Sequence, residues 1–298
     1  MLFERQKILL ALLDSLGGEV SNLDFQKLLF LYCQEQQQSP SYEFVPYRFG
    51  GFSFTSYADR RRLVERQLLV NDDSVWKLTK EGRSAVSVAT DVLKKMLCFA
   101  RDYESLRGDD LVAETYRKYP YYAANSEIAG RVLRDDVAAL DAIEANRPAR
   151  TTAGVSTIGY EGRSLEGYLN CLMGAGVTLL CDVRRNPLSR KYGFSKRTLA
   201  SGCHGVGIRY EHLPELGIAS EDRRQLATQA SYDTLFATYK REALPLQEAA
   251  LTKIREWVNE GERVALTCFE LLPHQCHRHC VADALHGKYG NSFSPVHL

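Results

Sequence analysis

The sequence predicts an α/β chain. A Rossmann-like, mainly parallel sheet is expected over residues 151–298, preceded by a mostly α winged helix-turn-helix domain over 1–100 and a helical connector over 101–150. Three observations predict this. The second half alternates short apolar runs with amphipathic stretches, as βαβ units do. The first hundred residues carry helical stripes, then an aromatic extended segment, an arginine-rich helix and a wing-like strand. Between the halves, Asn146 to Thr152 is short, polar and proline-bearing, which marks a boundary.

The elements follow in order. Glu4 to Leu16 places Ile8, Leu9, Leu12, Leu13 and Leu16 on one helical stripe, closed by Gly17-Gly18. Leu23 to Gln34 repeats the pattern, with Ser21 or Asn22 as N-cap. Tyr42 to Tyr47 is aromatic and extended, and Gly50-Gly51 is expected to break it. Tyr57 to Gln67 is a basic helix carrying Arg60, Arg61, Arg62 and Arg66. An Asn71-Asp72-Asp73 turn and a strand from Trp76 complete the wing. Residues 109–145 are further helix around the Tyr119-Pro120-Tyr121-Tyr122 turn. In the second half, strands are expected at Gly154–Ile158, Val177–Cys181, Ile208–Leu213 and Arg263–Cys268. Helices are expected at Ser164–Met173, Ser195–Ser201, Leu246–Asn259 and Cys276–His286. That makes a sheet of four or five strands.

Composition narrows the function classes. The chain of 298 residues is 45% hydrophobic and 25% charged with a net charge of +1, as a soluble globular protein is, without a global basic field. No stretch reaches the roughly 18 uncharged apolar residues of a membrane span, and the N-terminus lacks a signal-peptide pattern. A cytoplasmic location, with reduced thiols, is expected. Among the eight cysteines, Cys33, Cys98, Cys171 and Cys181 sit in apolar runs and are expected to be buried. All seven histidines lie beyond residue 200, so imidazole chemistry belongs to the C-terminal half.

Ligands of open parallel sheets bind outside the carboxyl ends of the strands. Tyr160, Glu161 and Arg163 follow the first expected strand. Asp182, Arg184, Arg185 and Asn186 follow the second, His212 the third, and Cys268 and Glu270 the fourth. Candidate catalytic residues are Tyr160, Glu161, Asp182, Cys268, Glu270, Cys276 and His277, with the carboxylates suited to acid–base work. The alternative for Asp182 and Glu161 is an ion pair with Arg184 or Arg163. The basic loop offers Arg184, Arg185, Asn186, Ser189, Arg190 and Lys191 for phosphate or a polynucleotide backbone, with Arg163, His212 and Arg278 nearby. Phe194 could stack on a base. Arg60, Arg61, Arg62 and Arg66 would contact DNA, or would form a plain solvated face; the balanced charge of residues 1–150 weighs against strong DNA affinity.

The densest stretch is CFELLPHQCHRHC at 268–280. Cys268 or Cys276 could be a nucleophile whose pKa is depressed by a helix N-terminus, His277 and Arg278. Cys268, Cys276, His279 and Cys280 could bind zinc, but the Cys268–Cys276 gap fits no standard finger, so no metal is expected. Alternatively, the cysteines pack, and Glu270, His277 and Arg278 contact ligand. No dinucleotide fingerprint and no cofactor are expected.

Four motifs in order, TIGYEGRS at 157–164, DVRRNPLSRKYGFSK at 182–196, YEHLPELG at 210–217 and CFE…CHRHCVADAL from 268, resemble the bacterial and archaeal domain of unknown function 488 family. The resemblance implies a Rossmann-like fold and enzymatic activity of unassigned chemistry. It maps motif residues onto Tyr160, Glu161, Asp182, Arg184, Asn186, Pro187, Ser189, His212, Cys268, Glu270, Cys276, His277 and Arg278. The N-terminal half resembles winged-helix or Panacea-like domains through Gln26 to Phe30 and Tyr42 to Gly50, departing from their Gly-Pro at Gly50-Gly51. The expected function is a DNA-associated enzyme acting on a nucleotide, base or glycosidic bond, in genome maintenance, modified-base processing or phage defence. The alternatives are a cysteine-dependent enzyme or redox sensor, and a non-catalytic regulator that binds a nucleotide-like ligand.

Overall fold

The structure, a computed structural model, describes residues 1–149, 151–219 and 228–298. Arg150 of the expected linker lies outside the described residues. The chain divides into two compact units, Met1–Arg147 and Pro148–Leu298.

The first unit runs α1 (Glu4–Ser15), β1 (Glu19–Ser21), α2 (Asn22–Gln36), β2 (Val45–Tyr47), β3 (Gly50–Phe52), α3 (Phe54–Glu65), β4 (Val75–Lys77), α4 (Lys80–Ser84), α5 (Thr90–Asp102), α6 (Gly108–Lys118), α7 (Ala129–Leu133) and α8 (Val137–Ala145). Serine caps start two of the helices. Ser21 accepts from the Asp24 amide and Ser53 from the Ser56 amide, each satisfying an orphan donor. β1 pairs antiparallel with β4, Val20 opposite Trp76, and Trp76 lies against Phe25 at 4.5 Å between ring centroids. Gly50-Gly51 does not break the extended segment but forms β3, the second strand of a hairpin that turns at Arg48-Phe49. The reason is close approach: a Cβ on Gly51 would meet the Phe30 ring at 3.0 Å.

Two expectations in this unit are corrected. Arg60 is not a free cation, because its guanidinium lies 5.4 Å over the Trp76 ring and Nη2 donates to the Val75 carbonyl, tying α3 to β4. Arg61, Arg62 and Arg66 are exposed. Cys98 is exposed, not a core residue, and Cys171 of the second unit is likewise only half-buried. On α5 the buried face is set by Met96 and Phe99, three apart, and Cys98 points away from it.

Lys27 on α2 is 2% exposed, and its Nζ donates to the Gly51 carbonyl at 3.2 Å. Burial pulls its pKa down to about 7 from the ordinary 10.5. The unfolded chain therefore binds more protons between those values. The fold carries the full penalty below pH 7 and is relieved as pH rises toward 10.5. Lys27→Met is expected to stabilise the unit by about 1–4 kcal/mol at pH 6. Urea unfolding should show that gain shrinking by pH 10, whereas an equal gain at both pH values contradicts the assignment.

The second unit runs β5 (Gly154–Gly159), α9 (Leu165–Gly174), β6 (Leu179–Asp182), α10 (Lys196–Gly205), β7 (Arg209–His212), α11 (Gln229–Thr238), α12 (Glu248–Asn259), β8 (Arg263–Cys268), α13 (Arg278–Tyr289) and β9 (Val296–His297). The strands form one five-stranded parallel sheet in the order β7-β6-β8-β5-β9. Alternation along β8 explains the helical layers. Val264 and Leu266 share a core with Leu251, Ile254 and Trp257 of α12 and Val281 and Leu285 of α13. Thr267 faces the other way, where Tyr168 of α9 donates to its hydroxyl at 2.7 Å. Helices thus cover both faces. The register aligns the strand ends, pairing Gly159 with Cys268 and Asp182 with both Thr267 and His212. α13 begins at Arg278, so Cys276 lies before the helix rather than in it.

Candidate functional site

The four aligned strand ends bring most of the expected residues to one edge, but in different roles. Asp182, at the end of β6, is fully buried. Its Oδ1 accepts from the Arg184 backbone amide at 3.1 Å and from Arg184 Nε at 2.8 Å. Its Oδ2 accepts from Arg184 Nη2 at 2.6 Å and from the Tyr210 hydroxyl at 2.7 Å. Arg184 is 5% exposed and spends its remaining nitrogen, Nη1, on the Tyr160 hydroxyl and the Phe194 carbonyl, both at 2.9 Å. Burial opposes the guanidinium charge, but the hydrogen bonds and charge of Asp182 outweigh it and hold Arg184 above its usual range. The acid–base role expected of Asp182 and the phosphate role expected of Arg184 are therefore corrected. The two are each other's partners, and together they fix the loop after β6.

The same correction applies to the residues around them. Tyr160 is buried, and its ring stacks on Phe194 at 4.4 Å and 8°. Phe194, also buried, is committed to that stack and to the edge of Tyr168, so it does not stack on a base. Lys191 donates to the Tyr160 carbonyl at 3.0 Å, and partial burial lowers its pKa. His212 donates from Nε2 to the Arg184 carbonyl at 2.9 Å and receives Lys196 Nζ on Nδ1 at 3.2 Å. Arg278, 1% exposed, donates to the carbonyls of Glu270 and Leu271 and so shapes the loop after β8 instead of touching a ligand. Glu161 is exposed, and its carboxylate accepts from the Leu271 amide at 3.0 Å. Arg163 is half-buried.

What remains open to solvent is a polar crevice of about 310 Å³ whose lining includes Arg185, Asn186, Ser189, Arg190, Phe269 and Cys268. Arg185, Asn186 and Arg190 are exposed at its rim. Ser189 is positioned by its own loop, where its amide donates to Ser195 Oγ and its hydroxyl accepts from the Lys191 amide, both at 3.1 Å. A second cleft of about 600 Å³ adjoins the first through Arg185 and Ile218.

Behind Cys268 lies a buried cluster. Cys268 Sγ is 3.5 Å from Glu270 Oε2 and 3.7 Å from His277 Nδ1. His277 donates from Nε2 to the Val183 carbonyl at 2.9 Å, and its Nδ1 faces the sulfur. The ligand atoms of Cys268, Cys276 and His277 all lie within 4.8 Å of one another. Burial pushes the Cys276 thiol up, and burial likewise pushes Cys280 up to about 12. The depressed pKa expected of Cys276 is thus reversed, because desolvation of the thiolate outweighs the neighbouring His277.

Sequence reasoning missed Tyr210, which caps Asp182, and the glycines that let the loops close. A Cβ on Gly159 would stand 1.9 Å from the Glu270 carbonyl oxygen, and one on Gly217 would stand 2.1 Å from the Arg185 amide nitrogen. Tyr210 was signalled by lying two residues before His212 on one strand, hence on the same face.

Residues 164–285 match the family described as Domain of unknown function DUF488. No curated protein and no solved structure matches the chain. No helix among the described residues is long and apolar enough to cross a membrane.

Proposed function

We propose that this chain is a nucleic-acid-associated enzyme whose crevice takes a nucleotide, base or glycosidic substrate. One observation carries the reading. The exposed guanidinium groups of Arg185 and Arg190, with Asn186 and Ser189, ring a polar crevice that has Cys268 on its wall, and Glu270 stands beside that cysteine. Guanidinium and amide donors at a rim suit phosphate oxygens, and a carboxylate set deeper suits proton transfer. Exposed Arg61, Arg62 and Arg66 in the N-terminal unit add further cations for a backbone. Genome maintenance, modified-base processing and phage defence are settings in which such an enzyme would act. The cysteine-dependent reading is weaker, because burial raises the Cys276 pKa instead of activating the thiol.

Fluorescence anisotropy with labelled DNA and RNA oligonucleotides over a salt series tests the proposal. Affinity should fall with salt, and Arg185→Ala and Arg190→Ala should each reduce the logarithmic slope by about 1. Glu270→Gln should keep binding but abolish turnover of the bound nucleotide or oligonucleotide. Salt-insensitive or absent binding to every DNA and RNA would refute the reading.

A further inference from the structure

We propose that Cys268, Cys276 and His277 bind a zinc-class divalent cation, with a fourth coordination position reachable from the crevice. The inference rests on the geometry of the three donors and does not depend on the nucleic-acid reading. Their ligand atoms converge within 4.8 Å although Cys268 ends β8 and Cys276 and His277 precede α13. The fold closes a gap that sequence spacing alone placed outside the standard fingers. Two thiolates and one imidazole are a borderline-soft set that selects zinc over magnesium or calcium. His279 and Cys280 are not part of the set, since His279 Nδ1 is bonded to the Cys276 carbonyl at 2.7 Å with its ring edge-on to Phe236, and Cys280 Sγ lies 3.5 Å from His279 Nε2.

The surroundings have the organisation a metal site requires. The Val183 carbonyl accepts the Nε2 proton of His277, which fixes the tautomer and turns Nδ1 toward Cys268. A backbone carbonyl holding the far nitrogen of a ligating histidine is the usual outer support of such a centre. Val183 itself directly follows Asp182, so the Asp182–Arg184 pair braces that carbonyl's loop. Three protein ligands leave a tetrahedral ion one position short, the arrangement of sites that activate water or hold substrate rather than merely staple a fold. Cys268 lines the crevice, and Glu270 Oε2 lies 3.5 Å from its sulfur, within reach of a water in that fourth position.

The test uses the full chain purified without chelator. Elemental analysis should find zinc at about one ion per chain, as a folded structural or catalytic site retains it. Exchange for cobalt should give thiolate-to-metal charge-transfer absorption and the intense visible bands of tetrahedral coordination. Cys268→Ser, Cys276→Ser and His277→Ala should each lose the bound metal, while Cys98→Ser, an exposed residue of the first unit, should keep it. The wild-type cobalt spectrum needs no variant, so a misfolded mutant cannot obscure the result. A metal-free chain that takes up no cobalt, or a Cys268–Cys276 disulfide recovered in its place, would overturn the proposal. Because neither measurement involves an oligonucleotide, its failure is separate from failure of the crevice reading.

Discussion

Asp182→Asn should destabilise the C-terminal unit by about 3–5 kcal/mol, the loss expected when one partner of a buried ion pair is removed. The substitution leaves the Arg184 guanidinium, 5% exposed, without its counter-charge and turns an amide donor toward it. Tyr210 loses its carboxylate acceptor in the same step. Urea unfolding measures the loss, and hydrogen exchange of residues 154–182 locates it in the sheet. Arg184→Met alone should also be damaging, because Asp182 is then the stranded charge. The double variant Asp182→Leu, Arg184→Met should recover much of the stability, since an apolar pair of similar volume avoids the desolvation of both ions. It should nevertheless bind nucleic acid poorly, because the loop carrying Arg185 to Arg190 has lost its anchor. An Asp182→Asn protein within about 0.5 kcal/mol of wild type, the range of an ordinary surface change, would mean that Arg184 is solvated.

Gly159→Ala should be the most disruptive single-methyl change near the site. The added Cβ would stand 1.9 Å from the Glu270 carbonyl oxygen and 2.7 Å from its carbon, so the backbone after β8 must move. That segment is clamped from three sides, by Arg278 on the Glu270 and Leu271 carbonyls, by Glu161 on the Leu271 amide, and by the Tyr160 and Glu161 amides on the Phe269 carbonyl. Overpacking of this kind typically costs about 1–3 kcal/mol. Displacement of Glu270 should abolish turnover beyond what the stability loss explains. Gly174→Ala is the control, since nothing lies within 4 Å of a Cβ there and alanine favours the helix. Thermal unfolding and oligonucleotide turnover measured on both variants separate the effects.

The alternation of strand and helix in the C-terminal half was legible because each element is long enough to show its period. The runs at 154–159 and 264–268 are continuously apolar or small, as strands covered on both faces must be. β9 was not legible. Two residues, Val296 and His297, with a polar member and no apolar run, carry no periodic signal, and only their pairing with β5 defines a strand. α11 escaped for a related reason, since Phe236 is the one buried residue of its ten and no stripe forms. In the candidate site, residue types were legible but their direction was not. The run after β6 has the composition of a solvated basic loop, and nothing in that composition separates Arg184, turned inward by Asp182, from Arg185, turned outward. For CFELLPHQCHRHC the missing datum was where α13 begins. A helix from Cys276 would align Cys276 with Cys280, whereas a start at Arg278 frees Cys276 and His277 to meet Cys268.

The strand order has a consequence for how the protein is made. β8 lies between β5 and β6, yet it is synthesised after both of them, after β7 and after the helices in between. During translation β6 can pair early with β7, which starts at Arg209, but β5 has neither of its neighbours yet, and β8, which joins β5 to β6, starts at Arg263, about 80 residues after β6 ends at Asp182. Such non-local closure is slow and leaves strand edges exposed meanwhile. When β8 inserts, it completes the sheet and delivers Cys268 to the crevice in the same event. A nascent chain released or stalled before that point therefore holds at most the β6–β7 pair and no completed site, and should be a better substrate for chaperones than for its own ligand.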